Sequence, residues 1–229
     1  MQERNSEKLL RFLEECRQPG LTHLFLVGDI FDLWIGDHAY FKTRYQPIIE
    51  AISRLVQGGV AVHYFEGNHD LYLQSFWATQ VGVQVHEGPT LFRLGPWQVW
   101  VEHGDQIDKQ DYGYRVLRQV LRSRIVRWLL THLPSRVVSG IGERMSRASR
   151  YYTSQLKTIS DERSRALLRT YAHQLREHQD YDFLVTGHLH VREVYEFTQA
   201  GRESVALNLG EWRDEQKILE LSESGFRFL

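Results

Sequence analysis

The chain reads as an α/β fold, two sheets flanked by helices, with a helical insertion at about 111–160. Three observations carry that reading. Short apolar runs alternate with helical stretches in the order β-α-β-α-β-β, then helices, then β and a meander. Four of the apolar runs end in clusters of Asp, Asn and His, as strands of an open α/β sheet do when they build a site at their C-terminal ends. The stretch 115–150 interrupts this alternation with nine arginines, no lysine and the single acid Glu143.

Each element has a local cause. Residues 6–17 form a helix with Leu9, Leu10, Phe12 and Leu13 on one face, capped by Asn5 or Ser6 and ended by Pro19-Gly20. A strand follows at 22–27. A helix at 44–57, closed by Gly58-Gly59, leads to a strand at 60–65, and a short helix is expected at 71–80. Strands 91–94 and 97–101 flank Gly95-Pro96 as a hairpin. Helices at 112–130 and 135–157 lie either side of Pro134, and a helix at 161–178 precedes the strand 182–186. The tail alternates over 191–197, 203–209 and 216–221, as antiparallel strands do.

Composition narrows the class. With 229 residues, 42% apolar and 25% charged, the chain can bury a sizeable core as one domain. The lone Cys16 excludes an internal disulfide framework and a cysteine metal site. No apolar run reaches the roughly 18 residues of a membrane span, and no signal peptide opens the chain, so a cytoplasmic address is expected. The net charge of −1 splits into +8 over 115–150 and −9 elsewhere. Those arginines interleave with Val116, Leu117, Val120, Leu121, Ile125, Val126, Trp128, Leu129 and Leu130. A basic amphipathic helix pair of this kind suits an anionic lipid surface. Nucleic acid is disfavoured, because the segment has no lysine and no DNA-reading motif.

The strand ends carry the chemistry. Phe25-Leu26-Val27 delivers Gly28-Asp29, Tyr64-Phe65 delivers Gly67-Asn68-His69-Asp70, Val99-Trp100-Val101 delivers His103-Gly104-Asp105, and Leu184-Val185-Thr186 delivers Gly187-His188-Leu189-His190. Taken singly, each has an ordinary explanation as a cap, a turn or a surface histidine. Together they form a set of hard-to-borderline metal ligands. Asp29 has two oxygens and can bridge two cations. His69 carries an imidazole, a side chain that can protonate a leaving group. Asp32, Asp70 and Asp105 are expected to orient neighbours. His23, His38, His63, His86, His132, His173 and His178 are read as structural or surface residues.

These blocks resemble the calcineurin-like metallophosphoesterases, four of whose five ordered blocks stand here between residues 28 and 190. Within that family the chain looks most like the UDP-2,3-diacylglucosamine diphosphatase branch of the lipid A pathway. The likeness continues through Asp111-Tyr112-Gly113-Tyr114-Arg115, Leu133-Pro134, Arg144-Met145 and Ser149. The resemblance implies a four-layer α/β/β/α sandwich and two divalent cations, manganese, about 3.5–4 Å apart. It implies Asp29, Asn68, His103, His188 and His190 as metal ligands, with Asp29 and His69 catalytic. It implies Asn68, His69, Asp111, Tyr114, Ser149 and His188 as substrate contacts. The implied substrate is a lipid-linked nucleotide cleaved at its pyrophosphate, with the insertion over the acyl chains at the inner-membrane surface and no obligate protein partner. Two departures stand out. His69 replaces an arginine common in that branch. The first block, Asp-x-His, is absent, so the chain is expected to be shortened at its start, with its first strand missing and one cation site incomplete. The alternatives are a soluble phosphoesterase whose insertion has no lipid role, and a metal-poor binding scaffold.

Overall fold

A short parallel sheet organises the first half of the molecule. Strands β1 (His23–Leu26), β3 (Ala61–Phe65) and β5 (Gln84–His86) pair in the order β1-β3-β5, all parallel. The computed structural model describes residues 3–134, 137–138, 140, 161–212 and 217–229, in two units. Unit 1 is Met1–Glu87 with Tyr112–Tyr151, and unit 2 is Gly88–Asp111 with Tyr152–Leu229.

In unit 1 the even-numbered strand residues Leu24, Leu26, Val62 and Tyr64 join one core with Leu9 and Leu13 of α1 (Glu3–Glu15) and Ile48, Ile52 and Leu55 of α3 (Gln46–Gln57). The opposite face is aromatic: Phe25 stacks on His63 at 4.7 Å and Phe65 on His86 at 4.6 Å. A second pairing joins β2 (Trp34–Ile35) to β4 (Asp70–Leu71), so the loop after β1 is hydrogen-bonded to the loop after β3. Phe31, Trp34, Tyr45 and Trp77 pack beneath that junction, with Phe31 and Tyr45 ring centres 4.3 Å apart and Trp34 and Trp77 5.1 Å apart. Burying each such ring is worth about 1.5–3 kcal/mol, enough to hold an otherwise irregular loop.

Unit 2 is a five-stranded mixed sheet. It contains β6 (Thr90–Leu94), β7 (Trp97–Glu102), β8 (Phe183–Thr186), β9 (Arg192–Gln199) and β10 (Arg202–Leu209), in the order β6-β7-β8-β10-β9. β7, β8 and β10 are mutually parallel and both edges antiparallel. The helix at 161–176, α6, supplies Leu168 and Ala172 to a core with Leu184 and Ala206. β11 (Leu219–Ser222) and β12 (Gly225–Phe228) form a separate hairpin. Among the described residues, no helix is long and apolar enough to cross a membrane.

Several expected elements differ in detail. The helix expected at 44–57 starts at Gln46. A separate α2 (Ala39–Arg44) precedes it, and Pro47 in the first turn favours a fresh start over continuation. The helix expected at 71–80 is instead β4, a 3₁₀ turn (Leu73–Ser75) and a π turn (Trp77–Val81), beginning from Tyr72 at φ 60°. Pairing with β2 and burial of Leu73 and Trp77 override the helical pattern. The helix expected at 112–130 breaks into α4 (Tyr112–Leu121) and α5 (Arg124–His132), because Ser123 caps the second by accepting from Val126 N–H at 3.3 Å. The helix expected at 135–157 falls almost wholly outside the described residues.

Both insertion helices belong to unit 1. Leu121, Leu130 and Leu133 pack against its core. His38 Nε2 donates to the Leu130 carbonyl at 2.8 Å, and the Tyr72 hydroxyl donates to that of Leu121. Outward stand Val116, Leu117, Val120, Ile125, Trp128 and Leu129, all exposed.

Candidate metal centre

Unit 1 presents Asp29, Asn68 and His69 on two linked turns. Asp29 follows β1 in the left-handed region at φ 52°, a conformation Asp tolerates better than most residues. Its Oδ1 accepts the His69 backbone N–H at 2.9 Å. Gly67 is pressed so closely on this carboxylate that a Cβ there would lie 2.6 Å from the Asp29 nitrogen and collide with the carboxylate itself. Only glycine fits. Behind the turn, Asp70 is fully buried and accepts from Ile30 N–H at 2.7 Å, Phe31 N–H at 3.4 Å and the Tyr64 hydroxyl at 2.7 Å. Burial, reinforced by the Asp70 carboxylate, raises the Tyr64 phenol well above its ordinary value, so it remains a donor. Asp70 thus fixes the backbone that carries Asp29, the orienting role expected of it. The Nδ1 of His69 faces the Asp32 carbonyl at 3.1 Å. A carbonyl only accepts, so Nδ1 carries the proton.

Unit 2 presents His103, His188 and His190. His103 follows β7 and is buried; His188 follows β8. Gly187 N–H donates to the His103 carbonyl at 3.0 Å. Gly104, at φ 98°, lets the two turns close up, since a Cβ there would sit 3.2 Å from the Gly187 carbonyl oxygen. His103 Nε2 and His188 Nδ1 face each other at 3.2 Å. Two nitrogens so spaced subtend about 100° at a cation bound at about 2.1 Å, which suits adjacent positions in a coordination shell. The residues present therefore fit a divalent cation by donor type and by spacing. His188 and His190 are also left-handed, at φ 62° and 56°. Of the five non-glycine residues with positive φ among those described, three are expected ligands. Strain of this kind persists where the surroundings over-determine it. His190 is exposed, with Nδ1 3.5 Å from Glu211 Oε2.

The other expected contacts are less defined. Asp111 is exposed, its N–H on the Asp108 carbonyl at 3.4 Å, and Tyr114 lies half-buried on α4. Ser149 lies outside the described residues. Two glutamates that sequence reasoning passed over support the turns. Glu66, just before Gly67, is buried; its Oε1 accepts Leu73 N–H at 2.8 Å and its Oε2 pairs with Arg122 at 3.0 Å. Glu102, just before His103, accepts from the Tyr171 hydroxyl at 2.6 Å and Trp100 Nε1 at 2.9 Å. A glutamate immediately before each ligand turn was the available signal.

Comparison with known proteins decides the family. The calcineurin-like phosphoesterase model matches residues 2–192. The chain belongs to the calcineurin-like phosphoesterase family. Its α/β fold is that of the metallophosphoesterases, whose activity depends on divalent metal. The UDP-2,3-diacylglucosamine hydrolase of Aeromonas salmonicida is 31% identical over 93% of this chain and 82% of its own length. The protein of that name from Pseudomonas putida is 29% identical over 89% of this chain and 83% of its own. That from Histophilus somni is 26% identical over 98% and 92%. In this phosphoesterase the family's Asp-and-Asn turns fall in unit 1 and its histidine turns in unit 2.

Proposed function

We propose that this phosphoesterase hydrolyses the pyrophosphate bond of UDP-2,3-diacylglucosamine, releasing UMP and 2,3-diacylglucosamine 1-phosphate, a step of lipid A biosynthesis. The observation that carries this is likeness to proteins named for that substrate over 93% of the chain, a span that includes the insertion as well as the ligand turns. Asp29, Asn68, His103 and His188 would hold one divalent cation, and Asp29 with His190 a second; manganese suits the mixed carboxylate, amide and imidazole donors. When bound, the cations supply Lewis-acid activation of water and offset charge on the phosphoryl oxygens. Asp29 contributes the anion shared by both sites. His69, its Nδ1–H donated to the Asp32 carbonyl, would act in its doubly protonated form, giving the Nε2 proton to the leaving group and returning to the neutral imidazole. Asn68 and His188 contact the phosphates as well as the cation. Asp111, Tyr114 and Ser149 would contact the glucosamine phosphate end.

The outward row from Val116 to Leu129 supports a lipid role for the insertion, because exposed apolar residues among arginines match acyl chains beneath anionic headgroups. The protein would work on the cytoplasmic side of the inner membrane as a peripheral enzyme. The test measures UMP release from UDP-2,3-diacylglucosamine with and without manganese, beside a small soluble phosphodiester. Manganese-dependent UMP release, strongly favoured over the diester, is expected. Equal turnover of both substrates would mark a general phosphoesterase, and no turnover of either would remove the enzymatic reading.

A further inference from the structure

The strand β10 ends beside the histidine turn, and the way it ends is specific. Asn208 is fully buried and lies in register with Thr186 on one side and Glu193 on the other. Its amide donates to Thr186 Oγ1 at 2.8 Å and to the Gly187 carbonyl at 2.6 Å, while its Oδ1 accepts Gly210 N–H at 3.1 Å. One side chain therefore ties the turn bearing His188 to the residues leaving β10. The next residue is Glu211, whose side chain is 13% exposed and whose Oε2 stands 3.5 Å from His190 Nδ1. At 3.5 Å this is an electrostatic contact rather than a hydrogen bond; a carboxylate so placed favours the proton on the imidazole nitrogen it faces and leaves the other nitrogen's lone pair for a cation.

We propose that Glu211 is the positioning residue of His190: it orients the ring and presents Nε2 to a divalent cation, with Asn208 setting Glu211 in place. The inference rests on the metal reading above and extends it to a residue outside the expected ligand set. Without the carboxylate, His190, exposed and on a strained backbone, is left to rotate and to exchange tautomers.

The test titrates manganese into the metal-stripped full chain, with elemental analysis of the dialysed protein. Glu211→Gln, isosteric but neutral, should weaken the weaker class of manganese site about 10- to 100-fold. The kcat should fall in proportion while KM stays within about twofold, and Glu211→Asp should recover part of both losses. In a His190→Ala background, Glu211→Gln should add nothing, because the two act as one unit. Should Glu211→Gln fail to fold by circular dichroism, Glu211→Asp carries the test, with affinity expected below the parent. Unchanged manganese affinity in a folded variant, or effects additive with His190→Ala, would overturn the proposal and leave the metal reading standing. A parent chain that takes up no manganese would overturn both.

Discussion

Each unit of the molecule fixes a turn of expected ligands at a strand end, and each uses a buried glutamate one residue before the turn, but the clamps differ. In unit 1, Glu66 is held by a guanidinium, Arg122, from the junction of the two insertion helices. In unit 2, Glu102 is held by neutral donors, Tyr171 from α6 and Trp100 from its own strand. Burial raises both carboxyls, and the opposing influences follow the clamp: Arg122 and the Leu73 N–H pull Glu66 down, Tyr171 and Trp100 pull Glu102 down. A charged clamp couples the turn to the insertion, and losing it strands a buried charge. A neutral clamp binds more weakly and couples the turn only to its own sheet and helix.

The largest effect should come from Asp29, on the β1 turn that is hydrogen-bonded to the turn the charged clamp serves. Asp29→Asn keeps a residue that tolerates φ 52° but removes the shared anion. Turnover should drop by about 10³-fold or more with the fold intact. Near-parental activity would break the view that unit 1 supplies the central ligand. His69→Ala comes next, with a loss of about 10²–10⁴-fold. Its metal content should match the parent's, and loss of metal would make His69 a ligand.

The clamps themselves can then be compared. Arg122→Ala leaves Glu66 buried without its cation and should cost about 3 kcal/mol. Tyr171→Phe leaves Glu102 its Trp100 bond and should cost about 1 kcal/mol. Denaturant melts of both variants measure the difference, and equal costs would erase the distinction between charged and neutral clamping. On the insertion's outer face, Ile125→Ser with Trp128→Ser removes side chains 79% and 62% exposed, so stability should hold. Flotation with anionic vesicles should weaken, and preference for the lipid substrate over a soluble diester should fall at least tenfold. An unchanged preference would detach the insertion from lipid.

The smallest effect is one of pH. A carboxyl raised in the folded state binds its proton more tightly there than in the unfolded chain. Its contribution is complete below about pH 4.5 and is lost as pH rises through the folded value. Glu102→Gln removes the titration while keeping an oxygen for Tyr171 and Trp100. The variant should therefore melt higher than the parent at pH 8, with the gap closing by pH 4. A constant gap would mean that Glu102 is not the titrating group.

Much of this arrangement was legible from residue order. Leu24-Phe25-Leu26 and Leu184-Val185 belong to short apolar runs bounded by turn residues, the pattern of buried strands, and the Gly-Asp, Gly-Asn-His-Asp and Gly-His-Leu-His turns announce themselves by composition. The three-residue β5 is too short to show a period, and β12 is hidden by its terminal position. The Tyr72–Val81 stretch was misread because its helical pattern is overridden by a partner strand far away in sequence. Glu66 and Glu102 show in the sequence only by their place just before a turn, and Asn208 not at all, since a lone polar residue in an apolar run gains its meaning from Arg122, Tyr171 or Gly187 on another element.

The left-handed backbone at Asp29, His188 and His190 also governs which of the expected ligands can be replaced. A β-branched or bulky replacement at any of the three meets strain of about 1–3 kcal/mol in its own main chain, so such variants should be less stable than the parent. Asn68 carries no such restriction among the described residues. On the proposed ligand set, Asn68 is the position where donor charge can be changed without a change of backbone.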